Sequence, residues 1–477
     1  MQMPKAIGPF HIIGIGGIGM SAIAEILVDL GYKVQGSDAK ESANVARLRK
    51  RGIKVFIGQS AENLKDARFA VISSAIKLGN IELQAARAKA IPVIRRAEIL
   101  AELMRMKRTV SVTGTHGKTT TTSLISHIFE QAPNDPTVIT GGIIQSWDSN
   151  ARLGHGDWMV VEADESDGTF TRLPTEIGVV TNIDPEHLDY FGTVEAMEAA
   201  FAAFYRQVPF YGVVITCVDH PVVRRMLARL KDEMSCHVLT YGVSADADLR
   251  LVNGRAVGAE SAFDIEIGPR VAGGARKLIG VRMPVPGEHN SLFAIAAFAV
   301  AAHAGLPDEK ILSAIATFSG VKRRFTATGT WNGVQFYDDY AHHPVELSAV
   351  LKAARAASRG KVVAIFQPHR YSRISSLYDE FCNCFGDADV VIVAPVYSAG
   401  EPVMAGVDQR SIAEGIARTG HPNVMHIGSE RELVPLIAGI AKPGDLVLGL
   451  GAGTITDWSH GLPVWLSESR KQAGSAG

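Results

Sequence analysis

Between Thr109 and Ser126 the chain reads Thr-Val-Ser-Val-Thr-Gly-Thr-His-Gly-Lys-Thr-Thr-Thr-Thr-Ser-Leu-Ile-Ser. A β-rich run meets Gly114 and Gly117 and then turns helical at Lys118. This composition suits a phosphate: small residues let backbone N–H groups close round its oxygens, the helix N-terminus faces them, and a lysine adds a point charge. Gly114, Thr115, His116, Gly117, Lys118, Thr119 and Thr120 are the candidate cradle, with the Thr119 hydroxyl placed for Mg²⁺. The spacing is Gly-x-x-Gly-Lys-Thr, with Val112 where the longer phosphate loop has its first glycine. A glycine turn followed by a surface lysine is the bland alternative, and the β run, two glycines, lysine and threonine string together favour the phosphate.

Two apolar runs downstream end abruptly in acids. Trp158-Met-Val-Val-Glu-Ala-Asp-Glu-Ser-Asp closes on Glu162, Asp164, Glu165 and Asp167, and Gly178-Val-Val-Thr-Asn-Ile-Asp-Pro-Glu-His-Leu-Asp-Tyr closes on Asp184, Glu186, His187 and Asp189. Carboxylates gathered at strand ends beside phosphates call for a divalent cation. Thr119, Glu162 and His187 are the candidate ligands, although a lone histidine is more often a packed residue. Asp219-His220-Pro closes a further strand, and the stretch near Asp246 to Lys277 reads as β hairpins.

The N-terminal Phe10-His-Ile-Ile-Gly-Ile-Gly-Gly-Ile-Gly-Met-Ser is a strand, a glycine turn and a helix onset. Gly14, Gly16, Gly17 and Ile18 would face a diphosphate, and Asp38, closing the next strand after Ser37, reads equally as a ribose acceptor or as the cap of the next helix. The turn alone leaves the nucleotide open, an NAD oxidoreductase included. Ser73 and Ser74 end another strand at the edge where open α/β sheets bind ligands.

Towards the C-terminus, His289 and Asn290 precede a long apolar helix; Asn290 offers both a donor and an acceptor, as an adenine edge requires, or an N-cap. Lys322, Arg323 and Arg324 form a cationic run, suited to a transferring phosphoryl group if it is not merely solvated. Val334-Gln-Phe-Tyr-Asp-Asp-Tyr-Ala-His-His-Pro brings Asp339, Tyr340 and His342 to a strand end, and Gln367-Pro-His-Arg-Tyr-Ser-Arg brings His369, Arg370 and Arg373, a clamp for a carboxylate.

The elements that must position these groups follow from the bulk sequence. The length of 477 residues suggests about three domains at roughly 150 residues each. A hydrophobic share of 47% with 20% charged residues is that of a large α/β protein, and a net charge of −1 offers no broad field for nucleic acid or an anionic membrane. Cys217, Cys236, Cys382 and Cys384 lack zinc or redox spacing and read as free buried thiols, the last two on opposite faces if Cys382 lies on a strand. Without a signal peptide or a spanning apolar run, the chain reads as cytoplasmic. The polar tail from Glu468 is expected to fray.

Together the boxes Gly-Thr-His-Gly-Lys-Thr-Thr, Glu-Ala-Asp-Glu-Ser-Asp, Asn-Ile-Asp-Pro-Glu-His-Leu-Asp, Lys-Arg-Arg-Phe, Asp-Asp-Tyr-Ala-His-His-Pro and Gln-Pro-His-Arg-Tyr-Ser-Arg resemble the Mur ligases of peptidoglycan synthesis across nearly the whole chain. The resemblance implies three α/β domains: a Rossmann-like UDP-sugar domain over 1–106, a central P-loop ATPase with a mostly parallel sheet over 107–321, and a Rossmann-like domain over 322–477 that closes over ATP and amino acid. It implies a UDP diphosphate at the first glycine turn, which removes NAD, with Gly14, Gly16, Gly17, Ile18, Ser37, Asp38, Ser73 and Ser74 on the UDP substrate. Lys118, Glu162, His187 and Arg324 would be catalytic; His289, Asn290, Arg323, Arg324 and Asp339 would complete the ATP site; Tyr340, His342, His369, Arg370 and Arg373 would line the amino-acid and acyl side. The implied reaction joins L-alanine to the lactyl carboxylate of UDP-N-acetylmuramate with ATP and Mg²⁺, in a monomer or homodimer with no nucleic-acid or membrane partner. A ligase that recycles a ready-made tripeptide and a non-catalytic nucleotide switch are the rivals. Two departures stand out. Many relatives carry a second asparagine where this chain has Phe293, and the stretch Glu195 to Pro209 holds no lysine to be carboxylated, as in the alanine-adding branch.

Overall fold

The computed structural model describes residues 3–4 and 7–475. Three sheets carry the chain, each flanked by helices, giving an α/β protein of three domains with mostly parallel strands. The first has β1 (Phe10–Ile13), β2 (Val34–Asp38), β3 (Lys54–Ile57), β4 (Phe69–Ile72) and β5 (Val93–Arg95) in the order β3-β2-β1-β4-β5, all parallel. The order reverses at β1, so the glycine turn after β1 lies at the switch point where such sheets take ligands.

The second sheet has β6 (Arg108–Thr113), β7 (Thr137–Ile144), β8 (Ser149–Arg152), β9 (Trp158–Glu162), β10 (Ile177–Val180), β11 (Val213–Cys217), β12 (His237–Gly242), β13 (Leu249–Val257), β14 (Glu260–Ile267) and β15 (Arg276–Met283). Its order is β15-β14-β13-β12-β11-β10-β6-β9-β7-β8. The strand feeding the phosphate loop, β6, therefore lies between β9 and β10, parallel to both. That placement sets both acidic strand ends on either side of the loop. The third sheet has β16 (Thr326–Trp331), β17 (Val334–Asp339), β18 (Val362–Phe366), β19 (Val390–Val393), β20 (Val424–His426) and β21 (Leu446–Leu450) in the order β16-β17-β21-β18-β19-β20, parallel except for the β16/β17 pair.

Chain contacts divide the protein into two compact units, Met1–Val252 with Asp264–Val281 and Leu292–Ser319, and Asn253–Phe263 with Arg282–Ser291 and Gly320–Gly477. The first two sheets share a unit because one apolar core runs through both: Ile23, Leu27 and Val71 belong to the same buried cluster as Ile139, Met159 and Phe201. Polar ties reinforce it, with Asn150 Nδ2 donating to the Ile18 carbonyl at 2.6 Å and Arg47 Nη2 donating to Asn150 Oδ1 at 2.8 Å.

Several local expectations change. Cys382 lies on the helix Tyr378–Asn383 and not on a strand; Cys217, Cys382 and Cys384 are buried free thiols, while Cys236 is half-buried. Burial pushes the Cys217 thiol up to about 11. The polar tail continues the helix Ile455–Ser475, with residues 476–477 outside the described range. No helix among the described residues is long and apolar enough to cross a membrane.

Candidate active site

The first turn is built by backbone economy. Gly14 sits at φ +73°, a left-handed conformation that favours glycine, and the N–H groups of Gly14 and Ile15 donate to the Ser37 carbonyl at 2.8 and 2.9 Å. Asp38 is not the helix cap: Ser42 caps the next helix, and Asp38 Oδ2 accepts from Gly16 N at 2.9 Å. A Cβ on Gly16 would stand 2.9 Å from that same oxygen. The Ser37 hydroxyl, expected on the UDP substrate, is fully buried and donates to Glu82. Glu82 also contacts His11 Nε2 and accepts from Asn63 Nδ2, so a buried polar network holds the strand behind the turn. Those hydrogen bonds outweigh burial and hold the Glu82 carboxyl below its usual range. Gly17 caps the helix that starts at Ile18, and Ser73 and Ser74 occupy the turn after β4.

The phosphate loop lies between β6 and the helix Lys118–Gln131, with Gly117 at φ +82° as its N-cap. Lys118 Nζ donates to the carbonyls of Gly114 and Thr115 at 2.7 and 3.1 Å and to Glu165 Oε1 at 2.8 Å. Burial would lower its pKa, but Glu165, Asp164 and Glu162 outweigh burial and raise it, so the ammonium stays charged. Thr119 Oγ1 donates to Glu162 Oε1 at 3.1 Å, while Glu162 Oε2 accepts from Thr140 Oγ1 at 2.9 Å and Gly141 N at 2.7 Å. Thr120 is buried on the same helix.

Glu165, an acid to which the sequence assigned no role, is the deepest of the group at 2% exposure, and its Oε2 has no hydrogen-bond partner among the described residues. Burial pushes its carboxyl up to about 7, with Lys118 pulling down and Asp164 pushing up. Asp164, Glu165 and His187 bring one ligand atom each within 4.8 Å of one another, with His187 Nε2 3.6 Å from Glu165 Oε1. The expected cation set is thus divided. Thr119 and Glu162 touch one another, whereas His187 joins Asp164 and Glu165. The two oxygen-rich strand ends and the orphaned Glu165 oxygen fit a hard divalent cation. The signal for Glu165 was in the run Glu-Ala-Asp-Glu-Ser-Asp, but only depth selects it from four acids.

Phe293 packs its ring against Gly117, where a Cβ on the glycine would run into the ring. Phe293 is a buried buttress of the loop, at 9% exposure.

In the second unit the groups are mostly cationic or imidazole. Arg323, at φ +62°, donates through Nη2 to the carbonyls of Gly451 and Gly453 at 2.7 and 3.3 Å. The Arg323 and Arg324 guanidinium carbons lie 4.7 and 5.4 Å from the Tyr340 ring centroid. Asp339 accepts from Phe325 N at 2.7 Å and Ala341 N at 2.8 Å, and burial pushes its carboxyl up to about 6 against the pull of Arg324. Asn290 is the third residue of the helix Glu288–His303 and not its cap; its Nδ2 donates to the Pro286 carbonyl at 2.7 Å. Burial and Arg324 hold His289 down to about 4, hence neutral.

The clamp is assembled at the ends of β17 and β18. His342 stands edge-on to Tyr340 and His369, with ring centroids 5.2 and 5.6 Å away, and its Nδ1 lies 2.9 Å from the Tyr340 carbonyl. His369 stacks on Tyr397 and receives Arg373 Nη1 on its Nδ1 at 3.2 Å. Burial, His342, Arg373 and Arg370 hold the His369 ring down to about 3, so it is neutral and orients Arg373. Arg370 starts the next helix at φ +66°.

A strand-fed phosphate loop flanked by acid-tipped strands, in a chain that carries a further parallel sheet towards each terminus, is the build of an ATP-using ligase. Family models match along the chain: "Mur ligase family, catalytic domain" over 9–108, "Mur ligase middle domain" over 112–301 and "Mur ligase, glutamate ligase domain" over 323–453. The chain belongs to the Mur ligase family. Relatives named UDP-N-acetylmuramate–L-alanine ligase from Azorhizobium caulinodans and Xanthobacter autotrophicus are each 55% identical; the first alignment covers 97% of this chain and 98% of the relative, the second 99% and 100%. The structure of UDP-N-acetylmuramate-alanine ligase from Thermotoga maritima superposes with a TM-score of 0.80 at 28% identity, covering 98% of this chain and 100% of that one. A murein peptide ligase from Psychrobacter arcticus, at 21% identity and a TM-score of 0.68, shares the fold.

Proposed function

We propose that the protein ligates L-alanine to the lactyl carboxylate of UDP-N-acetylmuramate with ATP, a step of peptidoglycan precursor synthesis. The observation that carries this is the near full-length identity to alanine-adding relatives joined to an intact phosphate loop. The γ-phosphoryl passes from ATP to a carboxylate oxygen, releasing ADP. Alanine's amine then attacks the acyl phosphate, loses a proton and expels phosphate. Phosphoryl transfer asks the protein for position and charge neutralisation more than for a nucleophile. Lys118 and the loop N–H groups serve the phosphates, Arg323 and Arg324 the transferring group, and Arg373, steadied by His369, the amino-acid carboxylate.

Mg²⁺ would be held by Thr119 and Glu162 and by the cluster of Asp164, Glu165 and His187, where it would neutralise phosphate charge. Gly14, Gly16, Gly17, Ile18 and Asp38 take the UDP substrate, with Ser73 and Ser74 at the neighbouring strand end. His289, Asn290 and Asp339 complete the nucleotide side, and Tyr340, His342 and Arg370 the acyl side. The domains run over 1–106, 107–321 and 322–477, in a cytoplasmic monomer or homodimer that needs neither nucleic acid nor membrane. Phosphate release that requires both UDP-N-acetylmuramate and L-alanine tests the reading. Efficient ligation of a tripeptide with poor use of alanine would move it to the recycling reaction.

A further inference from the structure

The loop glycines enclose two residues, Thr115 and His116, and one stretch of chain beyond β10 binds nearly every polar atom of their backbone. Thr181 Oγ1 and Asn182 Nδ2 donate to the His116 carbonyl at 2.6 and 3.1 Å, and His116 N donates to Asn182 Oδ1 at 2.8 Å. Thr115 N donates to the Asn182 carbonyl at 3.2 Å. Thr115 Oγ1 both donates to the Asp184 carbonyl at 3.1 Å and accepts from Asp184 N at 2.8 Å. A Cβ on Gly114 would collide with Thr181. The short loop takes its shape from the neighbouring strand end as well as from its own glycines.

The side chain of Asp184 closes this template. Its Oδ2 lies 3.4 Å from His116 Nε2, and its Oδ1 is 3.1 Å from Nε2 of His220, which caps the helix Pro221–Leu230 after β11. Burial would raise the Asp184 carboxyl, but the bonds from His116 and His220 outweigh it and hold the group well below its usual range. Among the described residues His220 Nδ1 is buried without a partner, so the Nε2 bond to Asp184 is the polar bond that its ring makes there. Three adjacent strand ends, those of β6, β10 and β11, are thus linked through His116, Asp184 and His220.

We propose that His220 is a positioning residue for the nucleotide: by holding the Asp184 carboxylate it fixes the Thr115–His116 segment of the phosphate loop in the shape that receives the ATP phosphates. His220 touches no reacting atom. Its effect passes through Asp184 and should appear in nucleotide affinity alone. The inference rests on the loop being the ATP site, and its test separates the two ideas.

The binding of Mg-ATP in the absence of the other substrates is measured by calorimetry for the wild-type chain, His220→Phe, His220→Gln and Asp184→Asn, with KM for each substrate, kcat and Tm in parallel. His220→Phe keeps a flat ring without a donor and should weaken Mg-ATP about tenfold. His220→Gln, whose amide can reach Asp184, should recover most of that loss. Asp184→Asn should match the Phe variant. KM for UDP-N-acetylmuramate and L-alanine, and kcat at saturating ATP, should stay within about twofold of wild type. Unchanged affinity in His220→Phe, or equal losses in the Phe and Gln variants that follow Tm, overturns the proposal. A wild-type chain that does not bind Mg-ATP overturns the ATP reading itself.

Discussion

Two charge-bearing regions of this molecule are built in opposite ways. In the first unit a single buried ammonium, Lys118, sits among Glu162, Asp164 and Glu165. In the second, Arg323, Arg324, Arg370 and Arg373 lie among imidazoles, and two histidines, His289 and His369, are kept neutral by burial and those arginines. Gathered carboxylates suit a cation that arrives with a polyphosphate; gathered guanidinium groups suit carboxylates and a phosphoryl group in transfer. The difference teaches that glycine turns and strand ends supply only geometry. The side chains that neighbouring strands add decide which charge is received.

The sharpest way to break the contrast is to remove the buried ammonium of the acidic region. Lys118→Ala should lower kcat by about a hundredfold or more, the usual cost of a lost charge contact in a preorganised site. Affinity for the UDP substrate, measured by calorimetry, should stay unchanged, since the turn at Gly14 to Ile18 is built from other residues. Wild-type turnover in this variant would end the phosphate-loop reading.

In the basic region charge should not suffice. Arg373→Lys retains the cation but loses the planar fork and the bond to His369 Nδ1, so KM for alanine should rise roughly tenfold with ATP KM nearly unaltered. Equal increases for both substrates would show that Arg373 serves the fold and not the amino acid.

Phe293 tests whether the acidic region depends on apolar support. Truncating a buried phenylalanine to alanine costs about 3–5 kcal/mol in general. Phe293→Asn should lower stability by a comparable amount and weaken ATP, because it removes the ring that backs Gly117. The asparagine that the family resemblance implies for this position would by itself suggest the reverse, a tighter ATP through an added amide. A lower ATP KM in the variant would favour that simpler view.

The two regions should also answer pH in opposite senses, though by less. Glu165 has its pKa raised from 4.5 to about 7, so its contribution to stability is present below pH 4.5 and lost as pH rises to 7. His289 is depressed from 6.5 to about 4, so stability falls as pH drops from 6.5 towards 4. Melting curves should therefore show Glu165→Gln gaining on wild type as pH rises, and His289→Gln gaining as pH falls. Parallel slopes for both variants would remove the contrast.

Sequence by itself determined the α/β class, the phosphate loop at Gly114 to Thr119, both acid-tipped strands and the arginine-bearing boxes. These are local signals: a glycine, a lysine and an apolar run need only their chain neighbours to be recognised. It left undecided the side chains whose role depends on what stands across from them. Ser37 looked like a ligand donor and is turned into a buried network with Glu82, because alternation along β2 says only which residues share a face and not which face is covered. Asp38 binds Gly16 N because β2 lies beside β1. Glu165 differs from Glu162 in burial and in an oxygen left without a partner. His220 meets Asp184 because β11 pairs with β10. Strand order juxtaposes residues tens of positions apart, and hydrogen bonding and desolvation then assign their charge states; neither quantity exists until the sheets have formed.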